Sequence, residues 1–187
     1  VSWQDKRVLG LVIVHMIPVI LVIPYLPYLA VIAQEVHGRG ANAYGMLTAM
    51  VGAGAVFGLF ALALMRDPRR KGLLMLVCFT AYTVCLFVVA ASPSFVVALV
   101  MLWCVGFVNS IAFALNNTLI QLAAPNEVRG RVMGVWQVTG HLQPLGAIPM
   151  GYAIDRFGVP LGMGTFMVVA TVVFLLFTLA WGSVRKM

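Results

Sequence analysis

The sequence predicts an all-α membrane protein with six transmembrane helices. Of the 187 residues, 63% are hydrophobic and only 9% are charged, and the mean hydropathy is +1.04. A soluble domain of this size would lack the polar side chains that cover a surface. Because roughly 20 helical residues cross about 30 Å of hydrocarbon, we expect one six-helix domain over 1–187 with helices at about 8–33, 43–65, 72–91, 95–121, 130–154 and 160–184.

Basic residues are concentrated on one side of this topology. Six spans place both termini and the loops at about 66–72 and 122–130 on the same side, which carries ten Lys or Arg residues. The other side has only Arg39 and Arg156. The positive-inside rule therefore predicts cytoplasmic termini. The net charge of +7 is explained by this asymmetry and by contact with anionic lipid headgroups, so we do not expect nucleic acid as a partner.

Residues that support catalysis or bind metals are not grouped in the sequence. The three cysteines fall inside spans, without a CxxC pair or a matching histidine spacing, and we expect them to be packing residues. There is no Ser-His-Asp set, phosphate-binding glycine loop or metal-ligand cluster. We therefore expect no enzyme activity, no catalytic residues, no metal and no cofactor.

Glycines recur along the second and fifth spans. In lipid, such stripes allow helix backbones to approach closely, so we expect both helices to pack against partners along much of their length. The two spans also end alike, in "GLFALALMRDPRRKG" and "GYAIDRFG". An inverted repeat of three helices would produce this likeness on opposite membrane faces; alternatively, any short loop at a membrane surface collects Asp, Arg and Gly.

Polar residues form a stripe within the fourth span. Asn109 and Asn116 are seven residues apart, as are Trp103, Ser110 and Asn117, so they share adjacent rows of the helix. An unpaired amide in hydrocarbon costs roughly 2–7 kcal/mol, so the stripe should not face lipid. It either joins helices by hydrogen bonds or lines a wet cavity.

Two other spans add polar side chains near the middle of the membrane. Gln137, His141 and Pro144 follow one another at i, i+4 and i+7 in the fifth span. The first span contains Tyr25 among three prolines, which break helices and are tolerated where the backbone meets a cavity or a moving neighbour.

The stretch "LIQLAAPNEVRGRVMGVWQ" followed by "LQPLGAIPMGYAIDRFG" resembles the tenth and eleventh helices of the major facilitator superfamily. The likeness is greatest to the bacterial efflux branch that includes the enterobactin exporter and macrolide efflux proteins. The "RDPRRKG" loop looks like a degenerate copy of the superfamily's loop motif. The matching positions are Pro125, Asn126, Glu127, Arg129, Gly130, Arg131, Pro144, Leu145, Gly146, Asp155, Arg156, Phe157 and Gly158.

This resemblance implies the carboxy-terminal half of a twelve-helix transporter built from inverted three-helix repeats. Such a protein would export small amphipathic molecules, such as drugs or siderophores, across the bacterial inner membrane by alternating access. Its partners would be lipids, the substrate and an amino-terminal six-helix half, or else a second copy of the chain. The alternative is a membrane assembly or sensor module without transport. The residues expected at the substrate are Asn109, Asn116, Trp103, His141, Gln137 and Tyr25.

Charged loop residues are the candidates for a gate. We expect Asn126 to cap the fifth span, with Glu127 in its first turn facing the positive helix end. Arg129 and Arg131 oppose that dipole, so they either bind headgroup phosphates or pair with acids such as Asp67 in one transport state. The complete candidate set is Arg66, Asp67, Arg69, Arg70, Glu127, Arg129, Arg131, Asp155 and Arg156.

Overall fold

The computed structural model describes residues 6–36, 40–65 and 70–180, and within these ranges every regular element is helical. The all-helical prediction is thus confirmed. The elements are α1 (Lys6–Leu21), α2 (Tyr25–Val31) extended by a π-helical turn (Ile32–Val36), α3 (Ala41–Leu64), α4 (Lys71–Ala91), α5 (Phe95–Ala123), α6 (Arg129–Gly140) and α7 (Gln143–Ala180).

Among the described residues, five stretches are long and apolar enough to cross a membrane, where the sequence predicted six. The first four, Val8–Gln34, Ala41–Leu64, Lys71–Ala91 and Phe95–Ala123, coincide with the first four predicted spans. The fifth, Arg129–Ala180, has 52 residues and contains both remaining spans. A continuous helix of that length would measure about 78 Å, more than twice the hydrocarbon thickness.

This fifth stretch turns back on itself at Gly158, which has φ 76° and ψ 167°. A Cβ atom added to Gly162 would lie 2.6 Å from the N and Cα atoms of Ile154. Residues eight apart in a straight helix are about 12 Å apart. The first arm of α7, 143–157, and its second arm, 159–180, therefore lie against each other. Glycine adopts the required positive φ without the clash that a Cβ atom introduces.

Two of the long stretches are interrupted, and a proline lies close to each interruption. In the first, the amides of Val22 and Ile23 both donate to the Pro18 carbonyl, at 3.0 and 2.8 Å, and α2 begins only at Tyr25. In the other, α6 ends at Gly140 and α7 begins at Gln143, one residue before Pro144. Proline has no N–H for the helical bond four residues back, so the sequence itself explains both breaks.

Close helix contacts determine the arrangement of the bundle. The backbone of α3 approaches α5 where Gly54 faces the Trp103 carbonyl and Gly106 faces the Val51 carbonyl. Helix α4 packs between α5 and α7, and α1 packs mainly against α7, α5 and α6. Ring stacking of Phe79 on Phe174, with centroids 5.2 Å apart, fills the core between α4 and α7.

The expected cap at Asn126 is wrong. Residues 126–128 form a turn in which the Val128 amide donates to the Pro125 carbonyl at 3.1 Å. Val128 occupies the cap position of α6 and makes no side-chain cap bond. Asn126 and Glu127 belong to this turn and therefore both precede the helix, which begins at Arg129.

Candidate functional site

A polar and aromatic cluster lies where α1, α5 and α6 meet; we call Leu11, His15, Phe113, Asn116 and Trp136 the His15 cluster. The Asn116 side chain is fully buried. Its Nδ2 atom donates to the Leu11 carbonyl at 3.1 Å and its Oδ1 atom accepts from Trp136 Nε1 at 3.0 Å. A carbonyl only accepts and an indole N–H only donates, so the partners fix the orientation of the amide. Asn116 thereby joins three elements.

The His15 ring lies between two aromatic rings of this cluster. It stacks on Trp136 with centroids 4.7 Å apart and meets Phe113 at 5.4 Å with the ring planes at 80°. The residue is only 3% exposed, and neither of its ring nitrogens has a hydrogen-bond partner among the described residues. Burying such groups without a partner is costly, so His15 stands out from the satisfied Asn116.

The interruption between α6 and α7 borders the cluster. A Cβ atom added to Gly140, the last residue of α6, would lie 4.0 Å from His15 Nε2. Along α1, Pro18 removes the N–H that would bond the Val14 carbonyl, and Pro144 does the same for the Gly140 carbonyl. Each of these two carbonyls therefore lacks the N–H donor four residues further along the chain.

The opposite side of α6 and the first arm of α7 has no partner among the described residues. We call it the open face; its members recur every three or four residues, and all are exposed. A Cβ atom added to Gly130 or Gly134 would meet nothing within 4 Å. His141 Nδ1 lies 2.9 Å from the Gln137 carbonyl one turn earlier. The open face consists of Gly130, Gly134, Gln137, Val138, His141, Leu145, Ile148 and Tyr152.

Helix α3 has a comparable exposed side. Gly45 and Gly52 have nothing within 4 Å of an added Cβ, whereas Gly54 and Gly58 face α5. Only 17% of its most apolar segment is buried inside the bundle. The glycines of α3 are therefore divided between a packed side and an exposed side. The same is true of α6 and α7, where Gly146 is on the packed side and faces the Ile20 carbonyl.

The six residues expected at the substrate are distributed over several surroundings. Asn116 is in the His15 cluster, and Tyr25 is 2% exposed and meets Tyr82 edge-on at 6.3 Å. Gln137 and His141 lie on the open face. The structure therefore separates buried candidates from exposed ones instead of gathering all six in one cavity.

The last two candidates both lie on α5. Trp103 stacks on Phe107, with centroids 5.4 Å apart, and lines an apolar groove of about 310 Å³ with Met50, Val96, Leu99 and Val100. Asn109 is half-buried, and its buried Oδ1 atom has no hydrogen-bond partner within the part of the chain that the structure describes.

The charged candidates that the structure describes are all exposed. Glu127 precedes α6, whereas Arg129 and Arg131 lie in its first turn. At the far end of the first arm of α7, the guanidinium of Arg156 lies 5.7 Å from the ring centroid of Tyr152, beside exposed Asp155. Arg70 is exposed just before α4. Arg66, Asp67 and Arg69, with the expected pairing to Asp67, lie outside the described residues.

Sequence reasoning did not place His15 among the residues expected at the substrate. The available signal was its residue type within an apolar run, with Pro18 three residues later. The rings that enclose it belong to helices about 100 residues further along the chain, and no local pattern reports them.

Comparison with known proteins gives one result. The family model described as Major Facilitator Superfamily matches residues 2–144, a range that contains α1 to α6 and every member of the His15 cluster. No curated protein and no solved structure matches the chain. With most of its length matched by the family model and its apolar helices long enough to cross a membrane, this multi-pass protein belongs to the Major Facilitator Superfamily, whose members are membrane transporters.

Proposed function

We propose that the chain is half of a twelve-span secondary transporter that exports small amphipathic molecules by alternating access. The observation that carries this proposal is the open face. It exposes Gln137 and His141 near the middle of a stretch that is otherwise apolar. Polar side chains at that depth are expensive against lipid and typically face a protein interior or a water-filled cavity, so the open face requires a protein surface or a cavity opposite it.

The proposal includes six spans and an inverted repeat of three helices, and the hairpin at Gly158 supports both. Each arm of the hairpin at Gly158 crosses the membrane, and 129–157 is as long as α5, which has 29 residues. The second span of the first repeat is then α3. The second span of the other repeat consists of α6 and the first arm of α7. Both leave glycines open, as expected for helices that pack against a second half. That half is an amino-terminal six-helix unit or a second copy of the chain.

The charge asymmetry orients the proposed transporter. With six crossings, the basic loops and both termini lie in the cytoplasm of a bacterial cell, against the anionic inner leaflet. Exposed Arg129 and Arg131 would then bind headgroups or loop acids of the opposite half. Exchange between these partners is a means of closing the cytoplasmic side.

The proposed substrate surface combines few polar groups with large apolar ones. Gln137 and His141 supply hydrogen bonds, and Leu145, Ile148 and Tyr152 continue the face with apolar area. Asn109 and Trp103 lie apart from the open face on α5 and would contribute from that helix, whereas Tyr25 and Asn116 reach a substrate only if the helices separate. This composition suits amphipathic compounds such as drugs or siderophores.

Efflux assays test the proposal. The protein is reconstituted in liposomes, alone and with an amino-terminal half, and the flux of a cationic dye, a macrolide and a catecholate siderophore is followed. The double substitution Gln137→Leu/His141→Leu should abolish flux without lowering thermal stability. Gln121→Leu, which changes an exposed glutamine on α5, is the matched control. Equal flux in the double variant and the control would refute the assignment.

Cross-linking distinguishes the two possible partners. A cysteine at Gly134, where an added side chain meets nothing, forms a dimer of this chain if two copies pack about a two-fold axis. Capture of the amino-terminal half with only monomeric chain supports the twelve-span arrangement.

A further inference from the structure

We propose that Tyr28 is a latch that holds the first arm of α7 against α2, and that its release lets this arm shift as a unit. The Tyr28 hydroxyl of α2 donates to the Ala147 carbonyl of α7 at 2.7 Å, which is the usual length of an O–H···O bond. Within the described ranges, it is the one side-chain hydrogen bond that joins α2 to α7.

A glycine makes room for this hydroxyl. A Cβ atom added to Gly151 would overlap the Tyr28 hydroxyl oxygen and would lie 3.2 Å from Cζ of the same ring. Gly151 follows Ala147 by about one helical turn, so the end of the tyrosine ring occupies a notch between these two residues. The contact depends on both positions, because the carbonyl of one accepts the bond and the absent side chain of the other leaves the space.

The first arm of α7 is bounded by an irregular point at each end. Before it, α6 ends at Gly140 and α7 begins at Gln143. After it, Gly158 has φ 76° and reverses the chain. Helix α2 is also short, since it follows a turn at 22–24 and continues into the π-helical turn Ile32–Val36. A few residues at element ends can absorb the φ/ψ changes of a larger movement, so both partners of the latch can move as short rigid segments.

The closest approaches of the arm on either side of the latch are made by backbone. A Cβ atom added to Gly146 would overlap the Ile20 carbonyl, and one added to Gly162 would lie 2.6 Å from Cα of Ile154. At these glycines no side chain projects into the partner, and packed helices of this kind can slide by small shear movements. The Tyr28 side chain, in contrast, is inserted into the arm. Its release therefore removes a contact that fixes the position of the arm along α2.

The arm carries part of the open face. Leu145, Ile148 and Tyr152 are exposed on it, whereas Ala147 and Gly151 are half-buried on its other side. A shift of the arm therefore moves these three exposed side chains relative to α6. The use of this movement in substrate binding rests on the proposed function, but the movement itself requires no substrate.

Hydrogen–deuterium exchange of the full chain in detergent tests the proposal. Local opening speeds amide exchange in the segment that opens and not in the rest of the protein. Tyr28→Phe deletes only the hydroxyl and should raise exchange in 143–157 by about threefold to tenfold, the equilibrium factor of one interhelical hydrogen bond in a membrane. Exchange in α4 and α5 should stay at the parent's rate. Tyr152→Phe, which changes an exposed tyrosine on the same arm, is the matched control and should leave every segment unchanged.

Gly151→Ala breaks the same contact from the other side. Its methyl group displaces the Tyr28 hydroxyl, so exchange in 143–157 should again rise. Once Tyr28→Phe has removed the hydroxyl, the methyl group meets no oxygen, and the double variant should exchange no faster than Tyr28→Phe alone. Such non-additivity identifies a shared contact. Gly134→Ala, where an added Cβ meets nothing within 4 Å, is the control for the change of residue type.

Three results would overturn the latch. Exchange in 143–157 at the parent's rate in Tyr28→Phe would mean that the hydroxyl does not hold the arm. Equal acceleration in every helix would mean that the bond supports overall stability and that the arm does not move by itself. Additive effects of Tyr28→Phe and Gly151→Ala would mean that the two changes act on separate contacts. Absence of flux in liposomes would refute the proposed function and leave these exchange results unaffected, so the two proposals fail separately.

Discussion

The two sides of α6 differ in the surroundings of their polar side chains. Trp136 turns its indole N–H inward to Asn116 in the His15 cluster, whereas its neighbour Gln137 is exposed on the open face. Interior polar groups are largely satisfied within the chain, with His15 and Asn109 as the described exceptions. The exposed Gln137 side chain at the same depth is open to solvent, lipid or another protein. The comparison indicates that one side of α6 maintains the fold, whereas under the proposed function the other side faces the substrate or a second half.

The largest expected effect comes from a glycine on the packed side. Gly146→Val places a side chain on the Ile20 carbonyl, which belongs to backbone and has little room to move. We expect a loss of about 3 kcal/mol or more, because overpacking against backbone forces helices apart. Gly134→Val, on the open face, meets nothing within 4 Å and should unfold like the parent. Thermal unfolding in detergent, followed by size-exclusion chromatography, measures both.

The same pair also tests function. Gly134→Val should reduce association with the other half although the chain itself folds normally. If Gly146→Val melts at the same temperature as the parent, close packing on this side does not determine stability. That result would contradict the distinction between the two sides.

A smaller effect is expected from a buried amide. Asn116→Leu removes the bond to the Leu11 carbonyl and leaves the Trp136 N–H without its acceptor. Interhelical hydrogen bonds in membranes are worth roughly 0.6–2 kcal/mol each, and an orphaned donor adds a penalty. We expect a loss of about 2 kcal/mol in the free energy of unfolding, measured in mixed micelles. Gln137→Leu should leave that free energy unchanged; an equal loss in both variants would contradict the division of α6.

The smallest effect concerns a hydrogen bond far from the His15 cluster. The hydroxyls of Thr83 on α4 and Thr171 on α7 are 2.7 Å apart. Thr83→Val should cost about 0.6 kcal/mol, because the Thr171 hydroxyl keeps its bond to the Met167 carbonyl. Thr118→Val, on an exposed part of α5 where the hydroxyl bonds only its own helix, is the control. No difference between the two melting temperatures would mean that interior hydrogen bonds outside the cluster contribute nothing measurable.

Several elements were predictable because their signal is local. The first four spans lie within a few residues of their expected positions, since a run of apolar residues has few alternatives in a bilayer. The prolines of the first span predicted its interruption. The glycines predicted close helix approach, which the structure shows at Gly54 and Gly146, but not which glycines would remain open.

The candidate site was harder to predict because its members are distant in sequence. Asn109 and Asn116 share a row of α5, yet one is satisfied and the other is not. The difference comes from Leu11 and Trp136, which reach Asn116 from two other helices. His15 and His141 are the same residue type in similar apolar runs, and only packing made one buried and the other exposed.

By itself, the sequence determined that this protein lies in a membrane, where most of its helices are and where they break. These properties follow from hydropathy over about 20 residues and from the missing N–H of proline. Only the tertiary structure decided which side of each helix is buried, that Gly158 folds α7 into two arms, and that His15 lies unpaired between Trp136 and Phe113. Most of these choices depend on contacts between residues far apart in the sequence, such as His15 and Trp136, and the chain makes them only when the helices pack.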